Sequence, residues 1–162
     1  MELQIKNISS EYAEQVIDLI LTIQQKEFNI PITINDQPDL QQIEDFYIKA
    51  GGNFWGAFKN DELVGTIALV KFDESHGAIR KMFVKKEFRG KELGIAQKLL
   101  EVLISYCCTS GIKEIFLGTV SVLEAAQRFY ERNGFRKIEK EKLPATFPLM
   151  SADNIFYALD LK

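Results

Sequence analysis

The chain has 162 residues, 46% of them hydrophobic and 27% charged, enough to close a single domain over 1–162 around one core without a metal or a disulfide. Its net charge of −3 lacks the basic excess of a nucleic-acid binder. Cys107 and Cys108 are adjacent, and with one histidine they make neither a disulfide framework nor a zinc site, so no metal is expected. The opening MELQIKNISS has no basic start followed by an apolar run, and no apolar stretch is long enough to cross a bilayer; a cytoplasmic chain with no membrane partner is expected.

Leu3 and Ile5 alternate with polar neighbours and predict a short strand. Ser10 is placed to cap a helix, with Glu11 and Glu14 near its positive end, and Tyr12, Val16, Leu19, Ile20 and Ile23 recur at helical spacing. A second helix is predicted from about Leu40 to Ala50, stopped by Gly51-Gly52. Phe54 to Lys59 and Leu63 to Phe72 read as a hairpin about Asn60-Asp61, and Ala78 to Lys85 as the next strand. Ala96, Leu99, Leu100, Leu103 and Cys107 then mark a long amphipathic helix that Gly111 ends. Glu114 to Gly118 is an apolar strand, Leu123 to Arg132 a helix with Asn133-Gly134 as its terminator, and Phe135 to Ile138 and Ile155 to Leu161 two closing strands. Strand, helix, strand in the middle implies a parallel crossover. The fold class is α+β: a mixed, mostly antiparallel sheet with helices on both faces.

Two segments carry chemistry. Arg89-Gly90-Lys91-Glu92-Leu93-Gly94-Ile95-Ala96 lies between a strand and a helix. Glycines there let an anion approach, and free N–H groups at the helix start attract it. No Gly-Lys-Ser/Thr follows, so it is not a Walker loop, and the G-x-G-x-x-G fingerprint is absent. The second segment, from Ala125 to Phe135, is a helix on which Ala126, Phe129 and Tyr130 share a face, ending in Asn-Gly and re-entering a strand. Small alanines permit close approach of a ligand, and a tyrosine there can donate a proton; by themselves Phe129 and Tyr130 read first as core aromatics.

Together these segments resemble the GNAT superfamily of N-acetyltransferases, which shows Gln/Arg-x-x-Gly-x-Gly/Ala after a strand, then a helix with Ala-x-x-Phe-Tyr ending Gly-Phe. The first pattern falls on Lys91, Gly94 and Ala96, with Lys for Gln or Arg; the second falls on Ala126, Phe129, Tyr130, Gly134 and Phe135. Leu123 stands where many members carry an Asn that contacts the pantetheine arm. The resemblance implies acetyl-coenzyme A as co-substrate, and direct attack by an amine through a tetrahedral intermediate. It implies that Met82-Phe83-Val84 splays from Ile115-Phe116-Leu117, so that Met82, Phe83 and Val84 receive pantetheine. The loop Arg89 to Ala96 takes the pyrophosphate, Ala126 and Phe129 line the donor, and an N–H near Phe83 or Val84 holds the oxyanion. Tyr130 is the implied general acid for a thiolate of pKa about 8.5.

The base stays open among Glu74, His76 and Asp153. The acceptor, a small-molecule or peptide amine, is also open. The apolar loop from Leu143 to Met150 and the Ile30-Pro31-Ile32 loop are candidate walls for it. A non-catalytic acyl-coenzyme A sensor is the alternative to an enzyme. A homodimer is a further expectation, because the apolar strand Ile155 to Leu161 would otherwise leave a bare edge.

Overall fold

The computed structural model describes residues 3–90, 92–150 and 152–161. Its strands are β1 (Leu3–Asn7), β2 (Asn53–Lys59), β3 (Glu62–Lys71), β4 (His76–Val84), β5 (Glu114–Thr119), β6 (Arg136–Ile138) and β7 (Ile155–Asp160); its α-helices are α1 (Ala13–Leu21), α2 (Ile95–Thr109) and α3 (Glu124–Arg132). One sheet runs in the order β1-β2-β3-β4-β5-β7-β6. Among the described residues only β4 and β5 pair in parallel; a parallel neighbour needs a crossover, and α2 supplies it. The mixed, mostly antiparallel sheet matches the pattern expected from the sequence.

The two central hairpin strands are apolar on both faces, and their alternation divides the core. Trp55, Ala57, Val64 and Leu69 face α2, joining Leu99, Leu100 and Leu103. Phe54, Phe58, Leu63 and Val70 face the other way, joining Val16, Leu19 and Ile20 of α1. Period 2 in the strands thus meets the three-and-four spacing of two helices on opposite faces. Leu103 is fully buried, and Leu103→Ala would cost about 2–5 kcal/mol through the cavity it leaves. Asn60 and Asp61 both take positive φ (51° and 67°), the turn that matches strand twist in a two-residue hairpin.

Several boundaries differ from the sequence reading. Ser10 does not cap α1: it begins a 3-10 turn, Ser10–Tyr12, whose N-cap position is Ser9, and its own N–H donates to Glu44 Oε1 at 3.1 Å. After Leu21 the helix widens to a π-turn over Thr22–Glu27, which puts both Ile23 and Gln24 inward. The predicted helix from Leu40 to Ala50 is a 3-10 turn, Pro38–Gln41, followed by a π-turn, Glu44–Ile48. Leu40, Ile43 and Tyr47 share one buried stripe at helical spacing, although the segment does not form a continuous α-helix. Finally, β7 is not an edge: β5 and β6 pair on its two sides. The bare apolar edge that suggested a homodimer does not exist, because the short β6 folds back to cover it. No helix among the described residues is long and apolar enough to cross a membrane.

Candidate active site

The site begins where two strands part. β4 and β5 pair only at His76–Ala78 with Glu114–Phe116; beyond this point each continues without the other. A bulge bends β4 at the opening of the gap. The register with β3 shifts between Thr66 and Ala68, and Lys81 takes φ 55° there, the two-against-one pattern of an inserted residue. Thr66 Oγ1 holds the bulge by donating to the Lys81 carbonyl at 2.6 Å. Past it, the Lys85 N–H donates to Val64 O at 2.8 Å. Strand alternation therefore aims Phe83's N–H at β3 and Val84's N–H into the gap. Of the two N–H groups expected near an oxyanion, Val84's is the one free to serve.

A cavity of about 720 Å³ fills the gap. One wall is Met82, Phe83 and Val84; the other is the first part of α3, with Ala126 and Phe129; the floor is the start of α2. Gly94 occupies the N-cap position of α2 at φ 62°, with no capping side chain and no acid in the first turn. The N–H groups of Ile95, Ala96 and Gln97 are thus uncapped donors at the positive end of a 15-residue helix. Gly90, at φ 120°, has open space where a side chain would be. Arg89 also lines this cavity, but it is engaged. Its Nε donates to Val84 O at 2.8 Å, and its guanidinium forms a two-pronged ion pair with Glu27. Arg128 and Arg132 of α3 complete a basic rim. The donor set of backbone N–H groups, glycines and arginines fits a pyrophosphate, and the narrow walls beside unpaired strand groups fit an amide-bearing arm.

A second cavity, about 130 Å³, opens on the other side of the parting strands. Tyr130, Ala126, Leu123, Met82 and Phe83 line both cavities. Among the described residues the Tyr130 hydroxyl has no side-chain or backbone partner, and no side-chain polar atom is both fully buried and unpartnered; its hydroxyl therefore faces open cavity. Burial, then the charge of Asp153, pushes its pKa well above that of a free phenol. Asp153 lines the smaller cavity. Its carboxylate lies so close over Gly118 that a Cβ there would collide with Oδ2. Burial raises its pKa to about 6, against the opposing pull of Arg80 and Lys81. Lys81 is 8% exposed; Nζ donates to Gln37 Oε1 at 2.5 Å and lies 3.5 Å from Asp39 Oδ2, which accepts from the Tyr47 hydroxyl at 2.5 Å.

The structure brings together most of the residues singled out in the sequence. Met82, Phe83, Val84, Arg89, Gly90, Gly94, Ile95, Ala96, Ala126, Phe129 and Tyr130 all line the larger cavity. Glu92 and Leu93 do not: Glu92 is exposed, and Leu93 packs against the core. Lys91 lies outside the described residues. Of the three candidate bases only Asp153 lines either of these two cavities. Glu74 is exposed on a bend, and His76 is held at the closed end of the strands by Asp73 and Glu114. Ile30, Ile32, Phe147 and Met150 line the smaller cavity, as the two apolar loops suggested. Arg128, Arg132, Phe28 and the polar group around Lys81 were missed. Only the i, i+4 arginines of α3 left a signal that sequence could have used.

Comparison with known proteins agrees with this geometry. The family model described as the acetyltransferase (GNAT) family matches residues 17–135. A crystal structure titled as an acetyltransferase of the GNAT family from Staphylococcus aureus Mu50 superposes with a TM-score of 0.95 at 43% identity, over 99% of this chain and 100% of that one. A PaiA N-acetyltransferase from Thermoplasma acidophilum, solved in complex with coenzyme A, shares the fold at 18% identity and a TM-score of 0.79, covering 99% of each chain. The N-acetylaspartate synthetase of Danio rerio is 35% identical over 102 residues, 62% of this chain but only 36% of that protein; the match thus spans about a third of that relative's length.

Proposed function

This chain belongs to the GNAT family of acetyltransferases, and from that premise we propose that it moves the acetyl group of acetyl-coenzyme A onto an amine. The observation that carries the reading is Tyr130: its ring is buried, its hydroxyl has no protein partner and opens to cavity space, and the residue lines both cavities where β4 and β5 part. A packing tyrosine would not need its polar end there. Coenzyme A in a neighbour of the same fold supports the donor. The uncapped start of α2 supports a pyrophosphate site, held by Ile95, Ala96 and Gln97 with Gly90 and Gly94 giving room.

The residues divide the work as follows. The amine enters through the smaller cavity, and Asp153 takes its proton, since a carboxylate of pKa about 6 is ionised at neutral pH. The nitrogen attacks the acetyl carbonyl, and the Val84 N–H stabilises charge on its oxygen. As the carbon–sulfur bond breaks, Tyr130 gives its proton to the departing sulfur and its phenolate recovers one from the acetylated nitrogen, while Asp153 passes the first proton to solvent; the raised pKa of Tyr130 keeps its proton in place until then. The products are an N-acetyl amine and free coenzyme A.

Thiol release from acetyl-coenzyme A, followed with a panel of amines and with calorimetry for the donor, tests this. Amine-dependent release is the expected result. Tight donor binding with no release by any amine would instead mark a sensor of acyl-coenzyme A.

A further inference from the structure

Among the described residues, Arg80 is the cation of the smaller cavity that makes no close salt bridge, although the charge of Asp153 is within electrostatic reach of it. Lys81, beside it, is neutralised by Asp39. Arg80 is half-buried; it donates to the Pro148 carbonyl and lies against the Tyr47 hydroxyl. No ion pair to it exists among the described residues. A guanidinium has five N–H donors in a planar fork suited to a carboxylate, and removing such a charge from water is costly unless an anion meets it. The bulge at Lys81 turns consecutive residues, Arg80 and Lys81, to the same cavity. Asp153 and Tyr130 face that cavity too.

We propose that Arg80 is a specificity residue that receives the carboxylate of the acceptor, so that the acceptor is a small amino acid presenting its amine to Asp153 and Tyr130. The cavity, about 130 Å³, holds amine and carboxylate only a few bonds apart. Its remaining walls, Ile30, Ile32, Phe147 and Met150, are apolar and give the body of the acceptor no polar anchor. Polyamines and other polycations are disfavoured, because an additional charge would meet the Arg80 guanidinium. This inference rests on the acetyltransferase reading and deepens it by naming the acceptor class.

The test uses the intact protein, acetyl-coenzyme A, and pairs of acceptors that differ only in the carboxylate: L-amino acids with acidic, apolar and basic side chains, each beside its primary amide. The acid of the best pair should exceed its amide by tenfold or more in kcat/KM. Arg80→Gln should erase that preference by lowering the acid at least tenfold more than its amide, with the KM for acetyl-coenzyme A unmoved as evidence that the variant is folded. Equal use of acid and amide by the wild type, or equal losses on both in Arg80→Gln, would overturn the assignment. If thiol release fails with every acceptor, the acetyltransferase reading fails, and the subsite is judged separately by calorimetry on the coenzyme A-loaded protein. N-acetyl amino acids binding tenfold tighter than their amides would support it; equal binding, or none, would overturn it.

Discussion

Tyr130 and Asp153 sit on the same small cavity with their proton affinities pushed upward by burial, and this suits them to opposite tasks. A phenol whose pKa is raised is a proton reserve at neutral pH; a carboxylate raised to about 6 is a stronger base than a solvated one, yet still ionised. Tyr130→Phe keeps the ring and its packing on Phe135 and Tyr157 but loses the proton. Turnover should fall about 10²–10⁴-fold with little change in donor affinity; a variant within about threefold of wild type would end the general-acid role. For Asp153, kcat/KM should decline as pH drops below about 6, and Asp153→Asn should lose that limb together with most of the rate. The sign for stability is the reverse. A carboxyl whose folded pKa is raised stabilises the fold at pH below its unfolded value, near ~3.9, and that contribution disappears as pH rises through about 6. Asp153→Asn should therefore melt no lower than wild type at pH 7–8, and higher if burial of the charge is the main cost. Thermal melts across pH check it, and a lower melting temperature at pH 8 would show that the carboxylate is structurally needed.

At the scale of elements, two local departures from regular geometry build the site. The inserted residue at Lys81 bends β4 away from β5, and the left-handed Gly94 opens α2 with its first N–H groups uncapped. Neither costs the sheet its core, because β4 stays paired with β3 through Val84 and α2 stays anchored by Ile95, Leu99 and Leu103. Gly94→Val would place a β-branched residue at φ 62°, where L-residues lose roughly 1–2 kcal/mol, and would put bulk against the anion site. Coenzyme A affinity should drop at least tenfold by calorimetry, about 1.4 kcal/mol, while a wild-type far-UV spectrum shows the fold intact. Unchanged affinity in the folded variant would take the start of α2 out of the donor site. The Arg89–Glu27 pair belongs to the same scale: it ties the end of the first helical segment to the loop before α2, so the arginine that the sequence offered as a phosphate ligand is already committed to a carboxylate.

For the whole molecule, the parted strands need a closed end that does not open further. His76 supplies part of it. Its Nδ1 is 2.7 Å from Asp73 and its Nε2 3.3 Å from Glu114 of β5, and Asp73 also accepts from Thr146 in the loop that walls the smaller cavity. Burial pulls the imidazole pKa down, but the two carboxylates outweigh it and the net shift is upward. A raised histidine stabilises the fold fully below its unfolded value, near ~6.5, and the contribution is lost as pH rises through the folded pKa. His76→Gln should therefore lower the melting temperature more at pH 6 than at pH 9, by on the order of a few °C given the partly exposed pair; equal losses at both pH values would remove the ionic part of the staple. What the sequence determined by itself was everything carried by local period and local chemistry: seven strands, the long α2, the hairpin at Asn60-Asp61, the glycine loop and the Ala126-Phe129-Tyr130 face, because alternation, helical spacing and left-handed residues act within a few positions. What only the tertiary structure decided was every matter of long-range pairing: β7 inside the sheet rather than at its edge, Asp153 rather than Glu74 or His76 near Tyr130, Arg89 spent on Glu27, and Arg80 without a close salt bridge among the described residues. Those depend on which residues meet across tens of positions of chain, and no periodicity records it.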